Sequence, residues 1–480
     1  MSAASVKLSK NTPVLWVHSL VSIALMFLFR LLPAPAPITE MGMAVLGAFL
    51  GIIYGWITVG MFWPSLLGLV ALGFSGYGDV KSVFLEGFGS NNVLVVILMF
   101  LILGILEQAG ITRWLALRIV GMKAGRGKPW VLCFLLLFAG FLLTAVSGTF
   151  TAALLVWSIF YNICEANGIE KGRYTEFVIV SVTFGSIMGS QLFPFSVPVL
   201  MMTGAYLGVA GGSGPAFVPY VLWMFFLSMV IAVLFTLAGK YLFRIQPPDM
   251  GRTDIERPKP LDRYQGIVLA ALCAFLLLLL LSSVMPAAWP FTALLANLNI
   301  IGLAALVICF LLVCNFTQGK KANEYLLQAA NWELVFVLAC VVVLSNALGA
   351  EGTGIMAWVT EHLASVFSGH GVLLYLVLIT LIPAVLTNFL NNLVVGMMFI
   401  PLSYTFSSAL GVNSMAVCVA LISLCSIALV TPAGCIPAAM LHGNTEWISS
   451  KSATVYGIVA VLISWVITLA VGIPFGCLLF

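Results

Sequence analysis

Apolar residues run along this chain in stretches longer than a soluble helix needs, and polar residues interrupt them at a few grouped places. A helix that crosses a bilayer needs about 20 mostly apolar residues. That length predicts spans at 14–32, 38–56, 58–77, 92–109, 175–208, 216–245, 264–283, 294–315, 331–349, 414–441 and 453–480. Two further apolar stretches, 130–165 and 372–409, each carry a polar cluster near the middle. They read as re-entrant hairpins, each a helix, a polar tip and a returning helix. The expected fold class is an all-α polytopic membrane protein with about 11 transmembrane helices plus two re-entrant hairpins. The first span has too long an apolar core for a cleaved leader, although Pro33–Pro37 mimics a cleavage site.

Composition sets the solvent. Hydrophobic residues make up 62% of the chain and charged ones 8%, against about 25% charged in soluble domains. Twenty Lys and Arg with 16 Asp and Glu cannot cover the surface of a soluble globule of 480 residues. Disorder, collagen and coiled coil are excluded by the same numbers. The 10 cysteines lie mostly in apolar runs with no CxxC pair, as small core residues do, and form neither a disulfide framework nor a metal site.

Charge sets the orientation. With the N-terminus in the cytoplasm and each hairpin returning to the side it left, every Lys and Arg except Arg30 and Lys81 falls on the inner side. The expectation is a multi-pass protein of the bacterial inner (plasma) membrane, N-terminus cytoplasmic. The net charge of +4 then reflects topology and contact with lipid headgroups, not nucleic acid. Residues 111–128 read as an amphipathic helix on the membrane surface, and the Pro-rich, charged 246–263 as a linker between halves.

The halves repeat. The run from Val93 matches that from Leu334, the tip Ser147–Thr151 matches Asn391–Val395, and the break Phe193–Pro194 matches Thr431–Pro432, all at shifts near 240 and in the same order. Each repeat carries an odd number of crossings, so the second is inverted. Inverted repeats with interrupted helices are the sign of a secondary transporter with its site at the repeat interface.

The interruptions hold the candidate chemistry. At Ser147-Gly148-Thr149-Phe150-Thr151, Thr149 or Thr151 is expected to cap the returning helix, whose amide groups at mid-membrane depth suit an anion. A helix kink with hydroxyls bonded to their own backbone is the alternative. At Thr387-Asn388-Phe389-Leu390-Asn391-Asn392, three amides in an apolar hairpin must face protein, water or ligand, because unsatisfied amides in hydrocarbon are costly. The breaks at Ser190–Pro198 and Thr431–Pro437 each hold two prolines, which free carbonyls that suit a hard cation. No Asp, Glu, Lys or Arg is expected at mid-membrane depth, with Glu107, Glu176 and Glu333 near span ends, which disfavours proton pumping. Neither a nucleotide-binding loop nor a nucleophile motif is present, so the chain is not expected to be an enzyme and no cofactor is implied.

These interruptions resemble those of the divalent anion:Na⁺ symporter (DASS) family, within the ion-transporter superfamily that also holds arsenite and Na⁺/H⁺ carriers. That family carries Ser-Asn-Thr at two hairpin tips and Ser/Thr-Pro-Pro in two unwound helices. The matching stretches here are Ser147-Gly148-Thr149, Asn391-Asn392-Leu393, Phe193-Pro194-Phe195 and Thr431-Pro432-Ala433. Gly148 stands for the first Asn, Asn391 for a Ser and Leu393 for the second Thr. The resemblance implies a homodimeric elevator-type transporter. Its scaffold would comprise 1–129 and 264–370 and its transport part 130–245 and 371–480, joined by the linker 246–263. It implies substrate binding, of a dicarboxylate-like anion, by Ser147, Gly148, Thr149, Phe193, Pro194, Asn391, Asn392, Leu393, Thr431 and Pro432. Na⁺ as coupling ion would lie at Thr387 and Asn392, with Ser147 at a weakened first site, so symport and anion exchange both stay open. An inorganic-ion carrier of the same superfamily and a non-transporting receptor or scaffold are the other readings.

Overall fold

The computed structural model describes residues 12–125, 127–145, 147–248, 258–286, 289–316, 331–358, 361 and 371–480. Among the basic residues used for orientation, Lys7, Lys10, Arg126, Arg252, Arg257, Lys320 and Lys321 lie outside them, as does 249–257 of the expected linker. The regular elements among the described residues are all helices, with no strand. Ten of their helices are long and apolar enough to cross a membrane.

The first helices, α1 (Thr12–Leu28) and α2 (Glu40–Thr58), pack along the glycine stripe of α2. A Cβ on Gly47 would stand 2.7 Å from the Leu25 carbonyl oxygen, and one on Gly51 2.7 Å from that of Ser22. Ser22 Oγ donates to the Gly51 carbonyl at 2.8 Å. The expected span 58–77 is not one helix. It holds α3 (Phe62–Gly73), only 12 residues long and bounded by Gly60 and Gly76 at positive φ of 143° and 91°, and Asp79 caps the separate α4 (Val80–Phe88) beyond it. Next come α5 (Asn91–Gln108) and the short α6 (Ile111–Val120), entered through left-handed Gly110.

The interrupted elements follow in both halves. The first half has α7 (Pro129–Thr144), α8 (Thr149–Ala166), α9 (Arg173–Gly189), α10 (Val197–Ala210) and α11 (Phe217–Leu237). After α12 (Arg263–Val284), α13 (Pro290–Phe316, kinked at Asn299) and α14 (Trp332–Gly349), the second half repeats the series. It has α15 (Val372–Leu386), α16 (Asn392–Ala409), α17 (Ser414–Ser426), α18 (Ile436–Gly443) and α19 (Ser450–Ile467), ending in α20 (Ile473–Leu479). The α5 and α14 helices are both 18 residues long. Both α11 and α19 run into a single π-helical turn, Ala238–Leu242 and Thr468–Gly472. The expected spans 175–208 and 414–441 are thus each two shorter helices around a break. Together with the shortness of the helix in 58–77, this replaces the expected count of eleven spans by ten long helices, α8 and α16 among them.

The core sits around α9 and α17. Both are buried over nearly their whole length, as helices with no polar face must be. Side chains join elements from the two halves. Thr39 Oγ1 donates to Gly352 O at 2.8 Å, and Gln265 Nε2 to Ala109 O at 2.9 Å. Tyr206 bonds Ser414 at 2.8 Å, Trp223 donates to Gly472 O at 2.7 Å, and Asn444 to Tyr161 Oη at 2.7 Å. Ser449 caps α19, and the Glu176 carboxylate accepts from Ser449 N and Ser452 Oγ, which ties the start of α19 to α9. Glycines mark where α10 crosses α14: a Cβ on Gly349 would lie 2.1 Å from Gly208 O, and one on Gly208 2.5 Å from Ser345.

Candidate functional site

The first tip leaves its groups open. Ser147 is buried and donates back to Leu143 O at 2.9 Å, and Thr144 likewise to Gly140 O at 2.9 Å, so both hydroxyls serve their own helix. The cap of α8 is Gly148, which has no side chain to offer, and not Thr149 or Thr151 as expected. The difference is one of register: helix geometry begins at Thr149, so the two threonines fall within the first turn. Neither hydroxyl makes a hydrogen bond among the described residues, and Gly148 is exposed. The first amide groups of α8 therefore have no side-chain acceptor, and the positive end of its dipole faces outward at the tip.

The first break follows the end of α9, which packs against α7. The α7 and α9 helices run side by side in the same direction, so closely that a Cβ on Gly185 would lie 2.2 Å from Leu137 O and one on Gly189 2.0 Å from Phe141 O. Beyond Gly189, Ser190–Ser196 forms the break before α10. Phe193 stacks on Phe195 with centroids 5.0 Å apart, and both stack on Phe217. Pro194 joins the two stacked residues in the chain. Gln191 is 1% exposed, and both polar atoms of its amide lack a partner among the described residues, while its carbonyl accepts from Tyr220 Oη at 3.0 Å.

The second tip is closed by its own side chains. Thr387 Oγ1 donates to Cys425 O. Asn388, 2% exposed, donates to Ala384 O at 2.8 Å, and its Oδ1 accepts from both Leu429 N and Val430 N at 3.0 Å. Thr431 Oγ1 donates to the Asn388 carbonyl. Asn391 caps α16 by accepting from Leu393 N at 2.9 Å, and its amide lies 3.9 Å from Met61 Sδ. Asn392 donates its backbone N–H to Gly434 O at 3.4 Å, and its side chain makes no hydrogen bond among the described residues. Leu393 is buried, and Pro432 follows Thr431 in the break.

The carbonyls that lead into this break are engaged. Ala428 O accepts from Cys435 Sγ at 3.2 Å, Leu429 O from His442 Nε2 at 3.1 Å, and Val430 O from Thr454 Oγ1 at 3.1 Å. Hydrogen bonds thus bring Thr387, Asn392 and Thr431 together with the second break, whereas none joins the two tips among the described residues. Sequence reasoning places Asn388 in the polar tip but assigns it no role, because nothing in the sequence says which amides it meets. It offers no signal at all for His442.

Nothing in the sequence singles out Glu86 either. It is half-buried on α4 and accepts from Asn346 Nδ2 at 2.6 Å and Tyr77 Oη at 3.0 Å, beside the α10–α14 crossing. No group of three or more His, Cys, Asp or Glu suited to a metal occurs among the described residues.

Two interrupted hairpins beside two interrupted helices, in an all-helical membrane protein, define the architecture of a polytopic transporter rather than an enzyme. The fold is similar to that of the YdaH transporter of Alcanivorax borkumensis, with a TM-score of 0.60 and 15% identity over 83% of this chain and 89% of that one. The family model described as CitMHS, citrate transporter, matches residues 49–401, a stretch that includes both hairpin tips. The chain belongs to this citrate transporter family, which is related to the DASS family in the ion-transporter superfamily. It is also similar to an uncharacterized transporter, sll0640, of Synechocystis, at 29% identity over 118 residues. That match covers 24% of this chain and 18% of the relative.

Proposed function

We propose that this chain moves a small organic anion, a di- or tricarboxylate of the citrate type, across the bacterial inner membrane, with its N-terminus in the cytoplasm. Residues 130–245 and 371–480 form the moving part, and 1–129 with 264–370 the scaffold of a homodimer. The moving part carries the site in an elevator motion between inverted repeats, with α7–α8 and α15–α16 as re-entrant hairpins. The substrate lies between the tips, on Ser147-Gly148-Thr149 and Asn391-Asn392-Leu393, flanked by Phe193–Pro194 and Thr431–Pro432.

The observation that carries this reading is the open start of α8. Uncapped amides, the Thr149 and Thr151 hydroxyls and the helix dipole offer donors to a carboxylate, and the sequence has no Lys or Arg between Lys128 and Lys171. The absence of a cation at the tips bears on coupling. Moving net negative charge against a membrane potential costs about 2.3 kcal/mol per charge per 100 mV, so a cation or a counter-moving anion must offset it. At the second tip Na⁺ would draw on Thr387, Asn392 and the carbonyls near Thr431, several of which already accept hydrogen bonds. Gly148 offers no side-chain amide to the first site beside Ser147. Both points favour at most one tight Na⁺ site and weight the coupling toward anion exchange. Uptake into proteoliposomes from a panel of labelled anions tests the reading. Citrate-type carboxylates should compete with one another, and preference for an inorganic oxyanion would overturn it.

A further inference from the structure

The geometry points to His442 as a positioning residue: its Nε2–H holds the unwound segment Ile427–Cys435 in the shape that the second hairpin needs to present its tip. This rests on the transport reading above for its kinetic consequence, but not for its structural one.

His442 is buried on the last turn of α18, and both ring nitrogens are engaged. Nε2 lies 3.1 Å from Leu429 O and Nδ1 3.2 Å from Ser450 Oγ, on the first turn of α19. A carbonyl only accepts, so Nε2 must carry a proton, and Nδ1 faces the Ser450 hydroxyl. Leu429 is consequently held from both sides, its N–H by Asn388 of the hairpin tip and its C=O by His442. A residue outside regular structure has no helical partner for these groups, and a buried orphan is costly. The chain Asn388–Leu429–His442–Ser450 therefore ties the tip of α15–α16 to the start of α19. Asn388 belongs to the tip, whereas His442 makes no hydrogen bond to the tip among the described residues and reaches it through Leu429.

Substitutions separate this role from simple packing. Gln places a donor near the Nε2 position of His, whereas the shorter Asn places one near Nδ1. In the purified full chain, hydrogen–deuterium exchange over 427–435 should be faster in His442→Asn and close to wild type in His442→Gln. In proteoliposomes with labelled citrate, His442→Asn should raise the apparent KM about 2- to 12-fold, the span of one neutral hydrogen bond, with Vmax nearly unchanged. His442→Gln should restore it, and Ser450→Ala, which leaves the Leu429 bond intact, should stay near wild type. Unchanged exchange in His442→Asn, or equal damage from Gln and Asn, would overturn the proposal. If wild type moves no citrate, the transport reading fails while the exchange comparison still decides. If neither His442 variant folds, ¹⁵N-histidine spectra of a chain with His18, His362 and His370 changed to Gln decide instead: the Nε2–H tautomer supports the role and the Nδ1–H tautomer refutes it.

Discussion

Replacing Asn388 by Ala should destabilise the protein far more than any other single change at the hairpin tips. Its Oδ1 accepts from two consecutive backbone amides, Leu429 N and Val430 N, each at 3.0 Å, and its Nδ2 donates to Ala384 O at 2.8 Å. Asn388 and Leu429 are both buried, so water does not readily replace the lost acceptor. Two stranded donors at about 1–3 kcal/mol each give a loss of about 2–6 kcal/mol. Thr387→Val removes one hydroxyl donor from Cys425 O and should cost about 0.5–1.5 kcal/mol. Thermal unfolding in detergent, followed by tryptophan fluorescence, reads the difference. At about 2 °C per kcal/mol for a large chain, Asn388→Ala should melt about 4–12 °C below wild type and Thr387→Val about 1–3 °C below. Asn388→Asp keeps the double acceptor but loses the donor to Ala384 and buries a charge, so it should not rescue fully. A melt of Asn388→Ala no lower than that of Thr387→Val would refute the view that Asn388 holds the second break.

Three other changes probe other parts of the account. Gly148→Asn should fold normally, because its φ of −72° suits any residue and its Cβ would meet only Thr151 Oγ1 at 3.8 Å; uptake against Na⁺ concentration should then become steeper than in wild type as the first tip gains an amide oxygen. Gly349→Ala should lower stability by about 1–3 kcal/mol in thermal melts by forcing α14 from α10, where its Cβ would lie 2.1 Å from Gly208 O. Single cysteines placed within Arg113–Lys128 and Arg252–Arg263 should react with impermeant maleimide only from the cytoplasmic side, and labelling from outside sealed cells would reverse the topology.

Much of the fold is legible because lipid leaves the chain few choices. Apolar run length alone locates α5 and α14, and the proline breaks at Phe193–Pro194 and Thr431–Pro432 fall where helices end in both halves. The 58–77 stretch misleads because it is largely apolar and carries no charge, while the limits of its one short helix depend on the backbone angles of Gly60 and Gly76. An apolar run carries no signal of positive φ. A similar limit applies at the start of α8, where Thr149 and Thr151 suit a cap but the register gives it to Gly148. The polar residues of the second tip stand out in the sequence, yet the roles of Asn388 and His442 do not. Each serves a backbone group of Leu429, 41 and 13 residues away, and composition carries no record of such partners.

The most direct test of the central claim is uptake of labelled citrate by proteoliposomes holding the purified full chain, with and without an inward Na⁺ gradient and with and without internal citrate. The account predicts saturable uptake that internal citrate stimulates and that depends on Na⁺ weakly, with a Hill coefficient near or below one. Absence of flux under every condition would contradict transport of this substrate class, and steep Na⁺ dependence with a Hill coefficient near two, unaffected by internal citrate, would contradict the proposed coupling.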